Sequence, residues 1–167
     1  MQSLTTYDGY QLQQAYRQRI QHDFAQWHQR HITATVQSLG ADRYDLVLPE
    51  THTLPLVIRP SELIEGVVYG RYQYNQAGHT DIGRGMLVAT NERILLLDKK
   101  PLFVRCEEIP YRAVSGITYS RVWPTGNVTL HTKIGDIRLR TFNQRCAQSF
   151  TQAIEAELFE DSRGMMQ

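Results

Sequence analysis

Three histidines, His22, His28 and His31, stand in a segment otherwise rich in glutamine and arginine. The i, i+3 spacing of His28 and His31 can bring two imidazoles to one metal ion. Asp23 is the one acidic residue nearby and no cysteine is close, so a third ligand is missing. Exposed histidines on a polar helix are the simpler account. Glu107 and Glu108 are adjacent carboxylates, but neighbours along a strand point to opposite faces and cannot act as an acid–base pair. Cys106 and Cys146 have neither disulfide nor zinc-site spacing and read as two reduced, buried thiols, as in a cytoplasmic protein. The glycine pairs Gly66/Gly70 and Gly83/Gly85 lack the strand–loop–helix setting of a phosphate cradle, and fit bulges and tight turns in a curved sheet. No G-x-S-x-G, P-loop or H-E-x-x-H motif occurs. No catalytic residue, metal ligand, cofactor or small-molecule substrate is therefore assigned, and a non-enzymatic role is expected.

Positive charge is the more suggestive chemistry. Val128 and Leu130 alternate with polar residues, as do Ile137 and Leu139 across the Ile134-Gly135 turn, so His131, Lys133, Arg138 and Arg140 fall together on the outward face of one hairpin. Such a patch suits an anionic partner or a neighbouring subunit's acidic strand; it equally suits a solvent face that keeps an edge from aggregating. The net charge over 167 residues is only +1. That balance offers no bulk field for nucleic acid, and none is expected as a partner. Hydrophobic content of 41% and charged content of 21% are those of a globular protein able to bury a core. No apolar run approaches a membrane-spanning length, and the first residues lack a signal-peptide core.

Several elements must position these residues. Asp8 can cap a helix over about residues 9–31, in which Leu12, Tyr16, Ile20, Phe24 and Trp27 recur at helical spacing. That stripe must dock on the sheet or on another copy of itself, with docking on the same chain preferred. From Ile32 to Ile58 the alternation in ITATVQSL and YDLVLP predicts a β-hairpin and a further edge strand carrying Pro55. Residues 1–60 form an extension on this reading. Short apolar runs then follow at strand spacing: Val67–Tyr74, Met86–Thr90, Ile94–Leu97, Phe103–Ile109, Val114–Tyr119, Asn127–Lys133 and Asp136–Phe142. Turns as short as Asn91-Glu92 force antiparallel neighbours. Asn143 caps a last helix with Ala147, Phe150, Ile154 and Leu158 on one face. Residues 162–167 are expected to be a flexible tail. Trp27 and Trp123 are assigned to packing.

The stretch GMLVATNERILLLDKK, followed by EEIPYRAVSGITYSR, resembles the bacterial pleckstrin-homology-like (PH-like) domains. Their pattern is a glycine-led strand ending in Thr-Asn-x-Arg, a hydrophobic strand, Ile-Pro-Tyr, and a strand of the form Val-x-x-Ile. The likeness spans residues 61–161. It implies a mainly β fold with α: a partly open seven-stranded antiparallel barrel capped by a C-terminal helix, here preceded by the N-terminal helix and hairpin. In lipid-binding members the ligand lies at the open end, among the first-second, third-fourth and sixth-seventh strand loops. The positions here that correspond are Arg71, His79, Arg84, Lys99, Lys100 and Lys133, which would hold a phosphorylated headgroup. The expected function is a binding module, foremost a protein-interaction or self-assembly scaffold. The alternative is a peripheral domain that meets anionic phospholipid at the inner face of the membrane through those loop cations.

Overall fold

The computed structural model describes residues 9–164, so the expected Asp8 cap lies outside the described residues. Helix α1 (Gly9–Ser38) is followed by α2 (Arg43–Leu46) and α3 (Pro49–Val57). The hairpin expected over Ile32–Ile58 is absent, and helices stand in its place. The threonines of ITATV suit a helix as well as a strand: Thr33 and Thr35 donate to the carbonyls of Gln29 and His31, both at 2.9 Å. Ile32 and Val36, four apart, are almost fully buried on its inner face. The helix stops at Gly40, where φ is +110°. The Ala41 amide donates back to Val36 O at 3.3 Å and the Gly40 amide to Gln37 O at 3.1 Å, a Schellman closure that requires a left-handed residue. Asp42 then forms a capping box with Asp45 to open α2, and Pro49 occupies the first turn of α3. Pro55 lies inside α3, not on a strand edge.

Seven strands follow: β1 (Ile64–Gln76), β2 (His79–Thr90), β3 (Ile94–Lys99), β4 (Val104–Ile109), β5 (Val114–Val122), β6 (Thr125–Thr132) and β7 (Gly135–Thr141). Their order in one antiparallel sheet is β4-β3-β2-β1-β7-β6-β5. Strands β4 and β5 are consecutive, joined through the single turn Tyr111–Ala113, yet sit at opposite edges without pairing. This is the partly open seven-stranded arrangement expected. Helix α4 (Gln144–Gly164) packs on β1, β5 and β6; the Cys146 amide donates to Asn143 Oδ1 at 3.1 Å, the expected cap. It continues past Asp161, into the expected tail; residues 165–167 lie outside the described residues.

The sheet has apolar layers on both faces. Val68, Tyr72, Leu87, Leu96, Leu130 and Leu139 point inward and meet Phe150 and Ile154 of α4. On the outer face, Val67, Met86, Val88, Leu95 and Leu97 are covered by Ile32 and Val36 of α1 and by Leu54 and Ile58 at α3. The extension thus adds helices to the outside of β1–β3. Gly70 brings β1 hard against β7: a Cβ there would lie 2.0 Å from the carbonyl oxygen of Arg140.

One buried ion pair ties extension to sheet. The side chains of Glu62 and Arg93 are 0% and 10% exposed and meet in a two-point contact, Nε–Oε1 at 2.8 Å and a second nitrogen to Oε2 at 2.9 Å. Thr90 Oγ1 donates to Glu62 Oε1 at 2.8 Å and the Arg59 amide to Oε2 at 3.1 Å. Arg93 also donates to Val57 O at 3.0 Å and pairs with Glu108. Burial opposes ionisation of Glu62, but these donors outweigh it and hold the carboxyl down at about 2.

Candidate functional site: an arginine groove and a bare helix

Outward positions on β1 change character along the strand. Val67 and Tyr69 lie under the extension, whereas Arg71 and Gln73 emerge beyond it. Strand β7 runs beside them with Arg71 opposite Arg140 and Gln73 opposite Arg138. On the other side Arg71 faces Arg84 of β2, while Arg140 and Arg138 face Asn127 and Thr129 of β6. A row Arg84–Arg71–Arg140–Asn127 therefore crosses four strands, at about 4.8 Å per step. Arg71, Arg138 and Arg140 line an open groove of about 740 Å³, with Gln73, Thr129 and His131 also on its wall. Among the described residues none of these four arginines has a carboxylate within salt-bridge distance; the acids that do pair with cations do so elsewhere. His131 at the groove's end is held by Asp136 at 3.1 Å. Like charges directly opposite on adjacent strands oppose pairing, so this row is maintained against its own repulsion.

The loop cations are placed differently. Pairing of β2 with β3 ends at Met86–Leu97, whereas pairing of β2 with β1 continues to Gln76–His79. His79 is thus at the tip of a long hairpin, bound to Asp81 at 2.9 Å, and Lys99 and Lys100 lie well back from it. Lys100 Nζ is 2.8 Å from Asp98 Oδ1 and donates to Arg84 O at 3.3 Å; Lys99 Nζ donates to Lys100 O at 2.8 Å. Lys133 is exposed in the β6–β7 turn, next to the tip, where Gly135 abuts Asn75. The structure thus joins Arg71 with Arg138, Arg140 and His131, which the sequence had divided between two surfaces, and leaves Lys99 and Lys100 apart. Gln73, Asn127 and Thr129 were missed; their outward parity was readable, but the pairing of β1 with β7 was not.

The second surface is α1. Residues 10–27 are all exposed, and the first buried position is His28, whose Nε2 lies 3.2 Å from Ile58 O. His28 is therefore not the exposed histidine expected. Leu12, Tyr16, Ile20, Phe24 and Trp27 are 45% to 68% exposed. Docking of this stripe on the same chain, the expected arrangement, does not occur. The 30-residue helix is about 45 Å long, and only its last third reaches the sheet. Trp27 stacks on His31 at 5.2 Å, with no contact to the core. Trp123 is likewise no packing residue: it is 81% exposed in the β5–β6 turn. Cys106 is exposed and Cys146 buried, against the expectation of two buried thiols.

Among the described residues no cluster of His, Cys, Asp or Glu is arranged to hold a metal ion, and no helix is long and apolar enough to cross a membrane. The family model described as "Bacterial PH domain" matches residues 58–156. A search of curated proteins finds no match. Among solved structures, the Vps36 N-terminal PH domain is 16% identical with a TM-score of 0.48, covering 64% of this chain and 86% of that one. A DUF1696 family protein with a pleckstrin-homology domain, from Shewanella loihica, is 20% identical with a TM-score of 0.32, covering 53% and 76%. The C-terminal domain of an unknown protein from Leishmania infantum is 14% identical with a TM-score of 0.41, covering 64% and 93%.

Proposed function

The chain belongs to the bacterial PH domain family, whose fold is that of a binding module, and on that premise we propose that it is a non-enzymatic scaffold that self-associates through α1. The observation that carries this reading is the bare stripe Leu12, Tyr16, Ile20, Phe24, Trp27 on a helix that leaves the body of the protein. A soluble helix keeps such a face only by covering it. A second copy is the occupant that the charges favour. Arg17 and Asp23 flank Ile20 at equal distances along the helix. Antiparallel pairing about Ile20 therefore sets Arg17 against Asp23 of the partner, twice by the two-fold symmetry, and crosses Tyr16 with Phe24. Burying the stripe in both copies removes on the order of 1,000 Å² from water, enough for a specific contact.

The alternative, headgroup binding through the loop cations, has less support, because Lys100, His79 and Lys99 already have partners within their own loops. A cytoplasmic location accords with the free, exposed Cys106 thiol.

Analytical ultracentrifugation of the full chain tests the scaffold. The expected result is a dimer that Tyr16→Asp/Ile20→Asp converts to a monomer with an unchanged melting curve, since both side chains are exposed and neither belongs to either apolar core. Charge reversal at Arg17 or Asp23 alone should weaken the dimer and the double reversal should restore it. A wild-type monomer at every soluble concentration would sink the proposal.

A further inference from the structure

We infer that the arginine groove on the outer face of β1, β7 and β6 is a docking site for the acidic C-terminal end of α4 from a second copy of the chain. This contact joins different surfaces from the pairing through α1 and does not rest on it.

The occupant emerges from a change of character along α4. Phe150 and Ile154 are fully buried on its inner stripe. The same stripe continues, at spacings of three and four, as Glu157 and Asp161. Residues 159–164 are all exposed, so the helix runs past the sheet and its inner stripe turns acidic where the sheet ends. Glu160 stands beside Asp161, close to a helix C-terminus whose own partial charge is negative and disfavours carboxylates. Among the described residues none of Glu157, Glu160 and Asp161 has a cation within salt-bridge distance. Arg163, the basic residue of the last turn, lies over the Phe159 ring at 4.6 Å. Burial, with Glu65, Glu160 and Asp161 close by, pushes the Glu157 carboxyl up to about 7.

The groove supplies the complement. Arg84, Arg71 and Arg140 stand opposite one another in one cross-strand row, and Arg138 lies about 7 Å along β7 from Arg140. The net charge of +1 is thus the sum of two unneutralised poles of opposite sign. Each is maintained against its own repulsion, and each relieves the other. One chain cannot bring them together. Helix α4 packs on the inner face of the sheet, whereas the groove opens on the outer face. Glu65, the neighbour of Glu157, is about 20 Å from Arg71 along β1. A second copy can. Glu157, Glu160 and Asp161 fall within about 6 Å along the helix axis, a spacing that matches arginines about 4.8 Å apart across the strands. Guanidinium forks take carboxylates two oxygens at a time. The concavity of about 740 Å³ admits the side chains of a helix end. Because the two surfaces differ, the contact is head-to-tail and links copies into a chain unless the rotation between them closes a ring.

The test uses the full chain carrying Tyr16→Asp/Ile20→Asp, so that the α1 contact is removed and the two contacts fail separately. Exposed ion pairs are individually weak. The head-to-tail contact therefore builds above the concentrations that saturate α1 pairing, and at dilution in ordinary salt this variant is the monomer expected of it. Sedimentation velocity of the concentrated variant in about 10 mM salt should show species larger than a monomer, and about 1 M salt should dissolve them. Adding Arg71→Glu/Arg140→Glu should weaken this association at least about tenfold, as should adding Glu160→Arg/Asp161→Arg. An equimolar mixture of the two reversed chains should recover it, because each groove again meets a helix end of opposite sign. All four side chains are exposed, so the melting curves should not move. Should the groove variant fail to fold, Arg138→Glu alone must reproduce the loss. A monomer in about 10 mM salt at every soluble concentration overturns the inference and leaves the α1 pairing standing. It is overturned as well if association is indifferent to salt, if only one of the two reversals weakens it, or if the mixture does not recover it.

Discussion

Glu62→Gln isolates what the ion pair with Arg93 contributes, because it keeps the shape of the side chain and removes only its charge. Burial and the Arg93, Arg59 and Thr90 donors leave the Glu62 carboxyl at about 2, against an ordinary value of 4.5. That depression corresponds to about 3 kcal/mol of stability at neutral pH. Full desolvation of the Glu62 side chain removes the need to discount for solvent screening. The sign follows from the direction. A carboxyl lowered in the folded state stabilises it fully above pH 4.5, and that contribution is lost as pH falls through about 2. Urea denaturation should therefore find Glu62→Gln less stable than wild type by about 3 kcal/mol at neutral pH, with the two curves converging in acid. Arg93→Met should cost about 3–5 kcal/mol by stranding a buried carboxylate, and the double variant less than the sum of the two. A neutral-pH loss below about 1 kcal/mol for Glu62→Gln, or a gap that persists near pH 2, would refute this account of the clamp.

Two further outcomes follow from other parts of the fold. Burial and a hydrogen bond shared with Glu65, with Glu160 and Asp161 close by, push the Glu157 carboxyl up to about 7. A raised carboxyl stabilises the fold below pH 4.5 and ceases to do so as pH rises through about 7; Glu157→Gln should thus melt higher than wild type at pH 8, by about 1 kcal/mol after solvent screening, and no higher at pH 5. Thermal melts at the two pH values check it. Gly70→Ala would place a methyl 2.0 Å from Arg140 O, which is main chain and cannot rotate aside; a loss of at least about 2 kcal/mol in urea, or insoluble protein, is expected.

The sheet was largely legible because its signals are local. Val128, Leu130, Ile137 and Leu139 alternate as expected and all four are buried, and every consecutive pair of strands except β4 and β5 forms the hairpin that its short turn implies. The extension was not, because β-branched residues such as Ile32 and Val36 serve a buried helix face as well as a strand face. Only tertiary burial decides between them. The arginine groove was half legible. Outward parity of Arg138 and Arg140 follows from the hairpin, but their alignment with Arg71 depends on a pairing between the first and last strands, which no neighbouring residue encodes. The glycine at position 70 was the nearest sequence signal: it marks a close approach of another backbone, although not which one.

Because β1 carries covered apolar residues at Val67 and Tyr69 and the groove's Arg71 and Gln73 on the same face, the covered layer and the arginine row share one frame of reference. A single residue inserted or deleted in that strand would turn Arg71 inward and Val68 outward at once. Substitution along β1 leaves that frame intact, whereas a change of length is accommodated best at the β1–β2 tip, where a Cβ added at Gly78 meets no atom within 4 Å. The surface can be retuned residue by residue, but a chain that has paired β1 with β7 has already assembled the groove.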